Sequence, residues 1–163
     1  MTQKEAFTNL TAVGRPSTVV LASIKAAIDL SDFVIAPVVG RSAQTVRRWR
    51  RSDEVEIPEE SAMAIDDLRA IVSILLDGGF DGPTIKQFLL SRNIGLGQDR
   101  PLDGLRPEMN AFRRVLHVTE CFVAGVSPEP GSALSRDDGE EFRIAPIGSP
   151  QVPNAPEPSE VGS

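Results

Sequence analysis

The sequence predicts an all-α protein, and three observations carry the prediction. Apolar residues recur at a helical period from Ser17 to Asp77 and again from Phe112 to Val123. The stripes are punctuated by Ser, Pro and Gly. No period-two run of β-branched residues occurs in the first 126 positions.

The elements follow in chain order. Residues 1–16 read as a flexible N-terminal arm. Val20, Ile24, Ala27 and Ile28 form the stripe of a first helix, with Ser17 as its N-cap. Ser31 caps a short second helix in which Ala36 supplies a small side chain for a close helix crossing. Gly40, four residues on, supplies a left-handed turn, and Ser42 caps a third helix that buries Val46 and Trp49. Pro37 falls inside the second helix, so that helix is expected to be short or bent. A long helix starts at Pro58, with Glu59 and Glu60 at its positive end. It carries Leu68, Ile71, Val72, Leu75 and Leu76 inward and stops at Gly78-Gly79. Residues 17–77 thus form a helix-turn-helix domain. Residues 78–126 form a second helical module: a helix near Pro83–Arg92, one turn at Arg100–Leu105, and a last helix after Pro107 that ends at Gly125. From Ser127 the chain holds seven of its 13 prolines, a composition that cannot repay ordering by burial, so 127–163 is read as a disordered tail. Its patch EEFRIAPI, Glu140 to Ile147, reads as a chance apolar cluster or a docking segment.

Composition narrows the function. With one histidine (His117), one cysteine (Cys121) and no tyrosine, the chain cannot supply a disulfide or a four-ligand zinc site, and every ordinary nucleophile–base pair would run through His117. His117 and Cys121 stand four apart on one helix, but two ligands without others make a poor metal site; they read as packing or surface residues. Gly95-Leu96-Gly97 follows no strand and reads as a turn, and Asp66-Asp67 and Asp137-Asp138 read as solvated carboxylates rather than acid–base pairs. No catalytic residue, metal or cofactor is expected. No apolar run approaches a membrane span and the start is not a signal peptide, so a cytoplasmic, reduced protein without a membrane partner is expected.

The net charge of −6 argues against a polyanion partner until it is divided along the chain. Residues 1–51 hold eight basic and three acidic residues, and no acid occurs from Phe33 to Ser52. The remaining 112 residues are strongly acidic. A basic end joined to an acidic remainder points to a polyanion at one end and another partner at the other.

The basic end contains Ala36, Gly40, Val46 and Trp49, spaced at +4, +10 and +13 from the alanine, a pattern that resembles the helix-turn-helix of repressors. At about 100° per residue, Gln44, Arg47, Arg48 and Arg51 share one arc opposite Val46 and Trp49, where a recognition helix faces the major groove. Arginine can pair with guanine O6 and N7 and glutamine with adenine N6 and N7. Arg41 and Arg50 lie further from the arc and suit phosphates, with Ser42 at the helix start.

The order of parts extends the resemblance. A helix-turn-helix ending in VRRW, a long apolar helix, then FLLSRNIGLGQDRPLDGLRPEMNAFRRVLHVTECFVAGV from Phe88 to Val126 resemble antitoxins of the Xre/MbcA/ParS group over about residues 18–126. The resemblance implies a C-terminal toxin-binding module in which Arg100, Pro101, Leu102, Leu105, Arg114, Val115, Leu116 and Gly125 occupy family positions, with Phe122 on the same helix. It implies an antitoxin that occludes a RES-type, NAD-degrading toxin and represses its own promoter, as a homodimer or as a hetero-oligomer with the toxin. The chain departs from that pattern by running 38 residues past Gly125. The tail could be without role, enter the toxin cleft, or mark a loss of toxin binding. Two other readings stand beside this one. In one the chain is a stand-alone repressor whose second module self-associates; in the other it is an interaction module whose DNA binding Pro37 has disabled.

Overall fold

The fold begins with a capping box. Thr2 Oγ1 accepts from the Glu5 amide at 3.1 Å and Glu5 Oε1 accepts from the Thr2 amide at 2.9 Å, which satisfies two of the free donors at a helix start. This box opens α1 (Gln3–Thr11) in a computed structural model that describes residues 1–52 and 54–128. The chain continues as α2 (Ser17–Ile28), α3 (Asp32–Val39), α4 (Ala43–Arg51), α5 (Glu59–Asp77), α6 (Gly82–Leu90), α7 (Pro101–Gly104) and α8 (Phe112–Ala124). Two 3-10 turns, Ile94–Leu96 and Pro107–Met109, complete the elements, and no strand occurs among the described residues. The protein is all-α.

The N-terminal arm expected at residues 1–16 is instead mostly helix. Ala6 and Leu10 are fully buried where α1 packs on α2 and α5. The free carbonyl of Leu10 near the end of α1 is taken up by a buried arginine: Arg69 Nη1 donates to Leu10 O at 3.0 Å, while Arg69 Nε donates to Asp66 Oδ1 at 2.7 Å. Asp66 therefore does more than solvate the surface. Asp67 beside it has its carboxyl pushed up by burial and by the Asp66 charge.

Val20, Ile24, Ala27 and Ile28 of α2 are buried as their spacing predicts. Pro16, not Ser17, occupies the N-cap place; its extended backbone (φ −56°, ψ 145°) turns its carbonyl to the Val20 amide at 3.0 Å, so Ser17 is already helical. Ser31 and Ser42 do cap α3 and α4, accepting from the Val34 and Thr45 amides at 3.3 and 3.2 Å. Pro37 does not end α3. It lies on the exposed face and the helix runs on to Val39, so the carbonyl deprived of its donor, that of Phe33, belongs to a solvent-exposed residue and can be hydrated.

The long α5 forms the spine. Ala64, Ile65, Leu68, Ile71, Val72 and Leu75 are buried, and the helix packs on α1, α2 and α3 as well as on α6 and α8. Its first turn is tied to the end of α3 by Ser61 Oγ, which donates to Val39 O at 2.8 Å. The domain boundary expected between 77 and 78 is consequently absent: Met1–Pro128 is one compact unit. Glycines allow the closest approaches. A Cβ at Gly82 would collide with the Ala27 carbonyl oxygen, and one at Gly104 would lie 2.6 Å from Val115 Cγ2. Gly95 and Gly97 belong to a turn, as their spacing suggested. The expected tail lies, from Glu129 on, outside the described residues, as do EEFRIAPI and Asp137-Asp138. No helix among the described residues is long and apolar enough to cross a membrane.

Candidate nucleic-acid interface

Helices α3 and α4 are joined by a three-residue turn, Gly40–Ser42. Gly40 takes the left-handed conformation at φ 71°, and the Arg41 amide closes the end of α3 on Ala36 O at 3.1 Å. The buried side of α4 consists of Val46 at 0% and Trp49 at 2% exposure, which fixes the rotation of the helix. Gln44, Arg47, Arg48 and Arg51 then face solvent together, in the arc their spacing predicts. Arg41 and Ser42 are also exposed, beside the α4 N-terminus.

Arg50 is placed differently from the expectation. It does not point outward to a phosphate but turns onto Asp32 in the first turn of α3. Arg50 Nε donates to Oδ1 at 3.2 Å and Nη2 lies 2.6 Å from both carboxylate oxygens. On the helical wheel Arg50 sits about 40° from Val46, close enough to the buried side for its guanidinium to reach the α3 surface. Arg47 shares the same carboxylate through Nε, at 3.4 Å from Oδ2. Burial pushes the Asp32 carboxyl up, but the hydrogen bonds and charges of Arg50 and then Arg47 outweigh it and hold the group below its usual range. Asp32 is not among the residues the sequence reading placed at this surface, yet it pairs with two of them. Its signal was present in the sequence, since it is the last acid before the acid-free stretch Phe33–Ser52 that holds five arginines.

The residues expected to bind a partner are not gathered into one surface. Pro101, Leu102 and Leu105 are buried in the contact of α7 with α6 and α8 and belong to the core. Arg100 is occupied by Asp103, through Nε at 2.8 Å and Nη2 at 2.9 Å. Arg114, Phe122 and Gly125 are exposed on or just after α8. At 1.5 Å and 100° per residue, however, Arg114 and Phe122 are about 12 Å and 80° apart. What the fold does build near Phe122 is an aromatic step. Its ring lies over Phe88 and Phe80, centroids 4.6 and 5.0 Å apart, and stays 37% exposed. It borders a depression of about 290 Å³ that Gln87, Phe88 and Arg92 also line. Gly125 closes α8 in the left-handed region at φ 72°.

His117 and Cys121 meet on the α8 surface, Nε2 to Sγ 3.6 Å. Among the described residues no group of three or more His, Cys, Asp or Glu could hold a metal ion. No family model, curated protein or solved structure matches the chain.

Proposed function

We propose that the protein is a DNA-binding antitoxin: α4 enters the major groove of its own promoter while the exposed end of α8 engages a RES-type toxin. The observation that carries the DNA half is the shared exposure of Gln44, Arg47, Arg48 and Arg51 on a helix whose opposite side, Val46 and Trp49, is locked in the core. That arrangement supplies bidentate base readers and phosphate donors on one rigid surface. Titration of promoter duplex against salt tests it. With three or four phosphate contacts, log K against log salt is expected to slope at about −3 to −4; no binding at low salt refutes it.

The partner half is supported by the resemblance of Phe88–Val126 to the antitoxin module and by the exposed Phe122 step. Co-expression with the neighbouring reading frame is the test: a toxin that co-purifies and is silenced by the wild-type chain, and is released by Phe122→Ala with DNA binding intact, supports the reading. A toxin fully active beside excess wild-type protein refutes it.

A second reading, a stand-alone repressor, is favoured by one observation. Three of the seven expected partner residues, Pro101, Leu102 and Leu105, are used up in the core of a single compact unit. A specific footprint by the protein alone, with no toxin encoded next to it, would favour that reading.

A further inference from the structure

Asp32 holds its two arginines in different ways. Arg50 is engaged through Nε and Nη2 and its side chain is only 20% exposed. Arg47 gives Asp32 its Nε alone, at 3.4 Å, and remains 45% exposed. A guanidinium carries five N–H donors in a fixed planar fork. When Nε is held, the two terminal nitrogens make up the edge that pairs with guanine O6 and N7.

We propose that Asp32 is a positioning residue that clamps Arg47 by Nε so that its terminal nitrogens read a guanine, making Arg47 the specificity-determining residue of the α4 arc. The inference rests on the reading of α4 as a recognition helix. Gln44, Arg48 and Arg51 share the arc with Arg47, and it is Arg47 whose guanidinium is tied to a carboxylate on the neighbouring helix. A side chain that is already ordered loses less rotamer freedom on binding, and its fork meets a base edge in one orientation rather than many. The clamp also has an electrostatic consequence. The Asp32 charge beside two arginines weakens the attraction to phosphate that every DNA sequence offers equally, so the carboxylate favours discrimination over total affinity. The Asp32–Arg50 pair fixes the carboxylate itself, leaving Oδ2 in place for Arg47.

The experiment starts from duplexes with a randomised core, selected on the wild-type protein and compared with scrambled duplexes of the same composition. The wild type is expected to enrich guanine at a fixed position. Asp32→Asn is expected to bind scrambled duplex as tightly as wild type or more tightly, while its preference for the selected duplex falls roughly ten-fold, the order of one bidentate base contact. Arg47→Lys keeps the charge and the Asp32–Arg50 pair, so it keeps the fold, and it should lose the same preference. The double variant should lose no more than the larger single loss. In the free protein the Arg47 Nε–H resonance should exchange slowly with water in the wild type and quickly in Asp32→Asn. Retention of the preference by either folded variant overturns the inference and leaves the DNA-binding reading standing. So does a wild type that binds DNA with a steep salt dependence but selects no sequence. A wild type that binds no duplex overturns both.

Discussion

Shortening Leu10 to alanine separates a folded α1 from a flexible arm. The side chain is fully buried between α2 and α5, and its backbone carbonyl is held by Arg69 Nη1 at 3.0 Å. Leu→Ala removes three carbons at about 0.8 kcal/mol each, roughly 2.4 kcal/mol of lost transfer free energy. The cavity term carries measured Leu→Ala losses to about 2.7–5 kcal/mol. Because α1 is a short helix of nine residues, it can settle partly into the gap, which places the expected loss at the low end, about 3 kcal/mol. For a unit of 128 residues, at roughly 3–5 °C per kcal/mol, the midpoint should fall by about 9–15 °C. The assay is thermal and urea unfolding followed by far-ultraviolet circular dichroism and by fluorescence of Trp49, the single tryptophan. Trp49 lies in α4, so coincident transitions at the two probes would also show that α1 and the helix-turn-helix unfold together. A loss under about 0.5 kcal/mol, the range of surface substitutions, would refute the packing of α1. Circular dichroism falling before Trp49 responds would refute the single cooperative unit.

Gly82→Ala is expected to destabilise by about 1–3 kcal/mol, because its Cβ meets the Ala27 carbonyl, backbone that cannot turn aside; an unchanged urea midpoint would refute that close approach. On the DNA-binding reading, Arg41→Ala, at an exposed position beside the α4 N-terminus, should reduce the slope of log K against log salt by about one with protein stability unaltered, and an unchanged slope would refute its phosphate contact. Acid should loosen the α3–α4 contact. The folded Asp32 carboxyl sits below its usual range, so its contribution is complete above about pH 4–5 and is lost as pH falls through the folded value. Urea titrations across that window should show a steeper acid loss in wild type than in Asp32→Asn, and parallel curves would refute the pairing. Asp67, raised by burial and by Asp66, has the opposite sign: its ionisation costs stability as pH rises through its folded value, so Asp67→Asn should flatten that side of the profile.

Much of this arrangement was legible in the sequence. The spacing of Ala36, Gly40, Val46 and Trp49 fixed both the turn and the rotation of α4, since a glycine at φ 71° and two buried residues three apart leave one way for the helix to sit. The stripes at Leu68–Leu76 and Phe112–Val123 announced α5 and α8. Helix α1 was legible too, and was missed: Thr2 and Glu5 have the capping-box spacing, with Ala6 and Leu10 four apart behind them. The side-chain partnerships were not recoverable in the same way. Asp32 and Arg50 are 18 residues apart, and Arg69 and Leu10 are 59 apart; such pairs are set by tertiary packing, to which local periodicity is blind. Family-like positions misled for a related reason. Pro101, Leu102 and Leu105 form a turn whose apolar pattern is the same whether it is a binding surface or a core plug, and only the approach of α8 at Gly104 decides for the core.

The absence of a boundary between α4 and α8 constrains how a partner could regulate DNA binding. Helix α5 packs on α3 at one end and on α8 at the other, and Ser61 joins it to the end of α3. A partner seated on Phe122 therefore finds no hinge among the described helices through which to rotate α4, and a rigid unit changes its DNA affinity only if the partner distinguishes two states of it. Binding at Phe122 has a more direct consequence: a toxin that holds two copies of this chain would present two α4 helices to one duplex. Engagement of the second helix is then intramolecular, and affinity rises by effective concentration with no change in the α4 contacts. Tighter promoter binding by a toxin complex than by the free chain would thus be expected to vanish on a duplex carrying a single half-site, whereas a conformational effect would persist there.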